Sequence, residues 1–301
     1  MAPQQQHIEL VWFKKDLRVE DHAALTAAAA RGPVLALWIY EDAVIRADDF
    51  DARHLGFANE CLAELEDDLR HFGVRLLRRR GDAVAVFEEL WQQTHFSRLY
   101  SHQETGNAIT YQRDLAVIAW TKARNVEWQE FAQTGVVRRL KQRDGWSERW
   151  LRRMEISPRP APAMLQGAAC DHLRGVGACD VTDFSLSPDQ SAALRQRGGS
   201  RSGWASLQRF LHESGVGYTK EMSSPVTAWD ACSRVSAHLT WGALSVRQCL
   251  HASADRRRDL LEAKALGQRI DARWMQSIKS FQSRLRWHCH FMQKLEDEPR
   301  I

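Results

Sequence analysis

The chain has 301 residues, 44% hydrophobic and 27% charged, so its length suits two domains and its composition excludes long disorder and fibrous repeats. No run of about 18 apolar residues occurs, because residues 23–40 are broken by Arg31, Gly32 and Pro33, and residues 1–6 lack a cationic-then-apolar leader pattern; no membrane helix and no secretory signal are expected. The net charge of +4 divides into −3 over residues 1–150 and +7 over residues 151–301, which points the second half toward a polyanion.

In chain order, the apolar runs 8–13 and 34–39 each end in polar residues, Lys14-Lys15-Asp16 and Tyr40-Glu41-Asp42, and read as strands. Residues 74–77, 98–100 and 126–131 read as three more. Helices are predicted over 23–30, 52–71, 82–93 and 108–124. In the second of these, Leu55, Ala58, Leu62, Leu65 and Leu69 recur at helical spacing between polar positions. Strand and helix alternate five times, which predicts an α/β fold, a doubly wound five-stranded parallel sheet with helices on both faces. A ligand of such a sheet sits at the carboxyl ends of its strands. Neither GxGxxG nor GxxxxGK[ST] occurs, so the usual nucleotide-phosphate loops are absent.

Residues 135–197 collect Pro158, Pro160, Pro162 and Pro188 and predict a long connection with short helices, the largest over 145–154. From residue 198 the pattern is helical throughout. Ser200 and Ser245 are candidate N-caps. Ile270, Trp274, Ile278, Phe281, Leu285, His288, Met292 and Leu295 make one continuous seam on a long last helix. The predicted organisation is an α/β domain over 1–134, a linker over 135–197 and an incomplete all-α domain over 198–301.

Six cysteines without CxxC spacing predict reduced, buried thiols. Twelve tryptophans favour a planar aromatic ligand such as a flavin or a base. His288-Cys289-His290 predicts no metal site, since residues two apart on a helix point about 200° from one another.

Three clusters carry more than packing. They are Val11-Trp12-Phe13-Lys14-Lys15-Asp16-Leu17-Arg18; Tyr218 with Cys232-Ser233-Arg234-Val235-Ser236-Ala237-His238-Leu239 and Trp241-Gly242-Ala243-Leu244-Ser245; and Phe281-Gln282-Ser283-Arg284-Leu285-Arg286-Trp287-His288. Together, in this order, they resemble the photolyase/cryptochrome family of flavoproteins, and Val137-Arg138-Arg139-Leu140-Lys141 is similar to a bacterial subgroup of it. Hydroxyls, backbone N–H groups and an arginine fork are also what a diphosphate needs.

The resemblance implies FAD bound by Tyr218, Cys232, Ser233, Arg234, Val235 and Ser236. It implies a second antenna chromophore of folate or deazaflavin type. It also implies a flipped-out pyrimidine photoproduct in DNA met by Arg284, Trp287 and His288, with blue-light repair as the activity of the complete form. A monomeric, cytoplasmic protein is expected, with no metal.

Three departures argue against dimer repair by this pocket. Cys232 replaces a threonine, Arg284 replaces an acid that would accept a hydrogen bond, and His288 replaces an arginine. The family's later helices, with their electron-relaying tryptophans, have no counterpart, so a truncated, non-catalytic chain is expected. Two alternatives stay open. One is a cryptochrome-type light sensor without repair. The other is an α/β binding module whose ligand lies near Asp16, Arg18 and Glu41, with residues 101–107 in reach.

Overall fold

Every residue of β1 (Glu9–Phe13) is buried, as a central parallel strand with both faces covered must be. Alternation sends Leu10 and Trp12 into one core and Val11 and Phe13 into the other. The structure, a computed structural model, describes residues 7–188 and 195–298. After β1 come α1 (Ala23–Ala29), β2 (Val34–Tyr40), α2 (Asp42–Ile45), α3 (Ala52–His71), β3 (Leu76–Arg80), α4 (Ala83–Thr94), β4 (Arg98–His102), α5 (Ala108–Ala123) and β5 (Glu127–Phe131). The sheet order is β3-β2-β1-β4-β5, all parallel. α1 and α3 cover one face, α4 and α5 the other. This is the doubly wound sheet that the alternation predicts. The chain reverses its winding between β1 and β4, which opens a crevice at the carboxyl ends of those strands.

β3 lies later than its predicted 74–77. Its register against β2 runs from Leu76 to Arg80, so three arginines enter the strand. Carboxylates beside the strand make this tolerable: Arg78 donates to Glu66 at 2.7 Å and Arg80 to Asp42 at 2.9 Å.

The next elements are α6 (Trp146–Met154), α7 (Ser200–His212), α8 (Tyr218–Glu221), α9 (Ala228–Ala231), α10 (Ser236–Thr240), α11 (Val246–Ala265) and α12 (Arg273–Asp297). The connection is divided in its packing. α6 joins the helical core through Trp146, Trp150 and Met154. Residues 159–186 run back over the sheet domain, where Gln166 O accepts from Val34 N and Cys179 O accepts from Asn59.

Ser245 caps α11 in a reciprocal box with Gln248. Ser200, in contrast, does not cap α7. Its hydroxyl donates to Ala243 O, while α3 supplies the acceptors for the free N–H groups: Glu60 to Gly198, Cys61 to Gly199 and Glu64 to Arg201. The α12 seam also rotates in its last turns. After Phe281 and Leu285 the buried positions are Cys289 and Gln293, not His288 and Met292. Val137 N and Gly135 N dock there, on Gln293 Oε1 and the Cys289 sulfur. No helix among the described residues is long and apolar enough to cross a membrane.

Candidate functional site

The carboxyl ends of β1, β2 and β4 enclose a cavity of about 410 Å³. One part of its wall is aromatic. Trp38, at the end of β2, lies 6.0 Å from Tyr40 and 6.3 Å from Trp241 between ring centres, and Phe50 meets Trp241 edge-on. Trp241 belongs to the helical part, so both halves of the chain build this pocket. Such an aromatic slot fits a planar ligand.

Charged groups also line it. The Arg113 guanidinium, on α5, donates to Glu41 at 2.8 Å, to Glu104 at 2.7 Å and to Asp114 at 2.8 Å. Burial pushes the Glu41 carboxyl up to about 7 even against Arg113. Burial would also raise Glu104, but Arg113, Lys15 and Lys14 outweigh it and hold that carboxyl down at about 2. Two neighbouring acids therefore differ in protonation near neutral pH.

Beneath the cavity, Asp16, His22 and His102 are fully buried together, with their ligand-type atoms within 4.8 Å of one another. Asp16 accepts from Lys14 N at 2.6 Å and from His102 Nδ1 at 2.8 Å. His22 Nδ1 accepts the Leu25 N–H that opens α1, so the proton of His22 sits on Nε2, 3.1 Å from Asp16. A metal would need that nitrogen's lone pair, so the cluster reads as a proton-holding bracket. Arg18 is equally committed, donating to Gly242 O at 2.8 Å and Asp21 O at 3.0 Å. Of the three residues expected near a strand-end ligand, Glu41 lines the cavity, whereas Asp16 and Arg18 brace the loop beneath it.

These groups set the sign of the pH response. Burial, aided by His22, pushes the His102 imidazole down to about 3. An unfolded histidine titrates near ~6.5, so the unfolded chain takes up this proton first and stability falls from about pH 6.5 toward 3. Asp16 is favoured by burial toward a higher value, but His22 and His102 hold it well below the usual range, which adds to the loss in acid. Glu41 acts oppositely, because the folded state binds its proton first and gains stability as pH falls from 7 to about 4.5. Urea midpoints across pH should show a shallow profile between pH 7 and about 4.5 and a steep loss below. A continued rise below that point would overturn these assignments.

The helical motif holds the second set of candidate residues. Tyr218 is buried edge-on against Phe210 at 5.2 Å, and burial raises its hydroxyl's pKa while Arg284 opposes this. Cys232, Ser233 and Arg234 are half-buried, Val235 is buried in the helical core and Ser236 is exposed at the start of α10. The structure brings Tyr218, Cys232 and Arg284 into one neighbourhood. Arg234 has a left-handed backbone, φ 58°, and its guanidinium lies 3.8 Å over the exposed Trp229 ring. No described residue hydrogen-bonds the hydroxyls of Ser233 or Ser236. Two free hydroxyls at a helix start fit the diphosphate of FAD by donor chemistry, with Arg234 standing aside on Trp229.

On α12, Trp287 is 47% and Phe291 57% exposed, with ring centres 5.7 Å apart. Arg284 is exposed beside Met222. His288 is tucked in, burial lowers its pKa, and its Nδ1 has no partner among the described residues. Burial therefore disfavours a cation beside Trp287.

Sequence reasoning missed Arg113, Trp38 and the cavity role of Trp241. Arg113 sits on a helix where a polar residue reads as solvated. Trp38 lies in an apolar strand where a large ring reads as core. The abrupt change from 34–39 to Tyr40-Glu41-Asp42 was the available signal.

Residues 9–144 match the DNA photolyase family. Over 258 residues the chain is 30% identical to a cryptochrome DASH of Gloeobacter violaceus, covering 79% of this chain and 51% of that protein. Over 265 residues it is 30% identical to a deoxyribodipyrimidine photo-lyase of Salmonella typhimurium, covering 80% and 53%. The fold is similar to the crystal structure of a class III photolyase from Agrobacterium tumefaciens, with a TM-score of 0.75 at 21% identity over 99% of this chain and 61% of that one. The chain thus spans between half and about three fifths of the length of these proteins.

Proposed function

The chain belongs to the photolyase/cryptochrome family, and from that premise we propose that it is a light-absorbing flavoprotein with two ligand positions. The first is the strand-end cavity, holding a planar antenna chromophore of folate or deazaflavin type. The second is the turn at Ser233 and Ser236 with Tyr218, holding the diphosphate and ribose region of FAD. FAD, when bound, supplies the photochemistry; the protein orients it and keeps water from it.

The observation that carries this reading is the cavity itself. It is partly open to solvent, aromatic on its walls, and shares Trp241 with the segment that contains the phosphate-type turn. Trp241 follows directly on α10, the helix that Ser236 opens, so one short element connects the cavity wall to the turn. The basic second half supports DNA as the polyanion. Trp287 with Phe291 gives an exposed stacking surface, which a flipped base would use.

The purified chain, or the chain incubated with excess FAD and riboflavin and then separated from unbound flavin by gel filtration, should show absorption in the near-ultraviolet and blue. Ser233→Ala with Ser236→Ala should lower FAD retention, and Trp241→Ala should lower uptake at the cavity. A chain that stays colourless under all these conditions overturns the reading.

A sensor without repair is the second reading. The exposed Arg284 and the half-buried His288, whose charged form burial disfavours, favour it, because Arg284 is no acceptor and His288 is a weak cation beside a flipped pyrimidine pair. Repair of a dimer-containing oligonucleotide under blue light separates the two, and efficient repair removes the sensor reading.

A further inference from the structure

The charged groups of the strand-end cavity do not share their bonds evenly. Arg113 spends four of its five N–H donors, with Nη1 on Glu41, Nη2 on Glu104 and Asp114, and Nε on Asp114. Lys15 lies 3.7 Å from Glu104 and is partly open to solvent. Lys14 differs from both. Its side chain is 4% exposed, and its ammonium has no hydrogen-bond partner among the described residues.

The nearest carboxylate oxygen to that ammonium, Asp114 Oδ2, is 3.8 Å away, beyond hydrogen-bond length. Asp114 is already served by Arg113, and Arg138 stands 3.6 Å from it. The Trp12 ring below gives the ammonium a face at 4.6 Å but no acceptor. Its field reaches Glu41 and Glu104 in the cavity lining, and Glu130 on β5, whose Oε1 is likewise unpartnered. A buried ammonium with three unused donors is costly. A fold that keeps one in the lining of an aromatic slot is destabilised there unless something else completes it.

We propose that Lys14 is the specificity-determining residue of this cavity, its ammonium donating to a carbonyl or lactam oxygen on the buried edge of a planar heteroaromatic ligand. This rests on the reading of the cavity as a ligand site. The slot supplies the stacking walls, and Lys14 supplies the polar contact that tells a lactam edge from a hydrocarbon ring of the same size. Arg113 positions Glu41 and Glu104 around it with four of its five N–H donors, whereas Lys14 has spent none.

Two measurements on the full chain test this. The first needs no ligand. If Lys14 served the fold through Asp114 and Trp12, Lys14→Met would lower the melting temperature. If it is held for a ligand, Lys14→Met removes an unsatisfied buried charge, and the free protein should melt higher than wild type.

The second uses lumiflavin and 6-methylpterin as probes, planar lactams of flavin and folate type without phosphate or tail. Wild type should quench the fluorescence of at least one, and Trp241→Ala should weaken that binding. Lys14→Met should lose roughly 10- to 100-fold in affinity, the worth of a charge-assisted hydrogen bond, and Lys14→Arg should recover part of it. Binding that depends on Trp241 but survives Lys14→Met unchanged overturns the role of Lys14 and leaves the cavity reading standing. A wild type that binds neither probe overturns the cavity reading and the role of Lys14 with it. A lower melting point for Lys14→Met assigns the lysine to the fold.

Discussion

Gly242→Ala is expected to cost about 3 kcal/mol or more in stability, seen as a fall in the urea midpoint at unchanged slope. Gly242 has φ +64°, and a methyl group there would press into Lys15 O and the backbone of Asp16. None of these atoms can swing away, because Leu17 N donates to Trp241 O and Arg18 donates to Gly242 O. The loop after β1 and the loop before α11 are pressed backbone to backbone. Gly267 provides the control. It has φ +80° but nothing within 4 Å of an added methyl, so Gly267→Ala should cost only about 1 kcal/mol, the backbone penalty alone. Equal losses at the two positions would show that close packing is not what makes Gly242 special.

The second large effect centres on Asp21, in the same clamp. Its Oδ1 accepts from Arg247 at 2.7 Å and its Oδ2 from the Ser245 hydroxyl at 2.6 Å, with both charged side chains buried. Asp21→Ala leaves the Arg247 cation buried without its counter-charge, a loss of about 3–5 kcal/mol. It also puts a Cβ-bearing residue without a side-chain acceptor at φ 46°. Asp21→Asn keeps an acceptor and tolerates the left-handed backbone, so it should lose about half as much. Chemical denaturation of the two variants against wild type reads the difference. If alanine proves no worse than asparagine, the pair with Arg247 contributes little.

These two positions show what was legible in the sequence and what was not. The doubly wound sheet could be read because its signal is local: apolar strands of five to seven residues, and a helix whose leucines recur on one face. The motif residues around Asp16 and Gly242 also stood out in the sequence, Asp16 as a neighbour of a strand-end ligand and Gly242 as part of a family-like motif. Their observed work is to fasten one half of the chain to the other, and a contact between residues 18 and 242 leaves no trace in either local pattern. The start of α7 misled for the same reason. Ser200 is a good cap residue by type, but α3 brings Glu60 and Glu64 to the helix start and leaves the hydroxyl free for Ala243. At the strand-end cavity, Glu41 was visible at the end of an apolar run. The unpartnered state of Lys14 was not, because solvation of a lysine depends on how the whole sheet closes around it.

Trp241 gives the molecule a thermodynamic property that neither half could have separately. A ligand seated as proposed against Trp38 and Trp241 would contact both halves at once, so its free energy of binding would be shared between them. Saturation would then bind their unfolding into one transition, and a loosened clamp would be felt as weaker affinity at a cavity whose polar groups had not changed. Occupancy of the slot and cohesion of the chain are two readings of a single equilibrium.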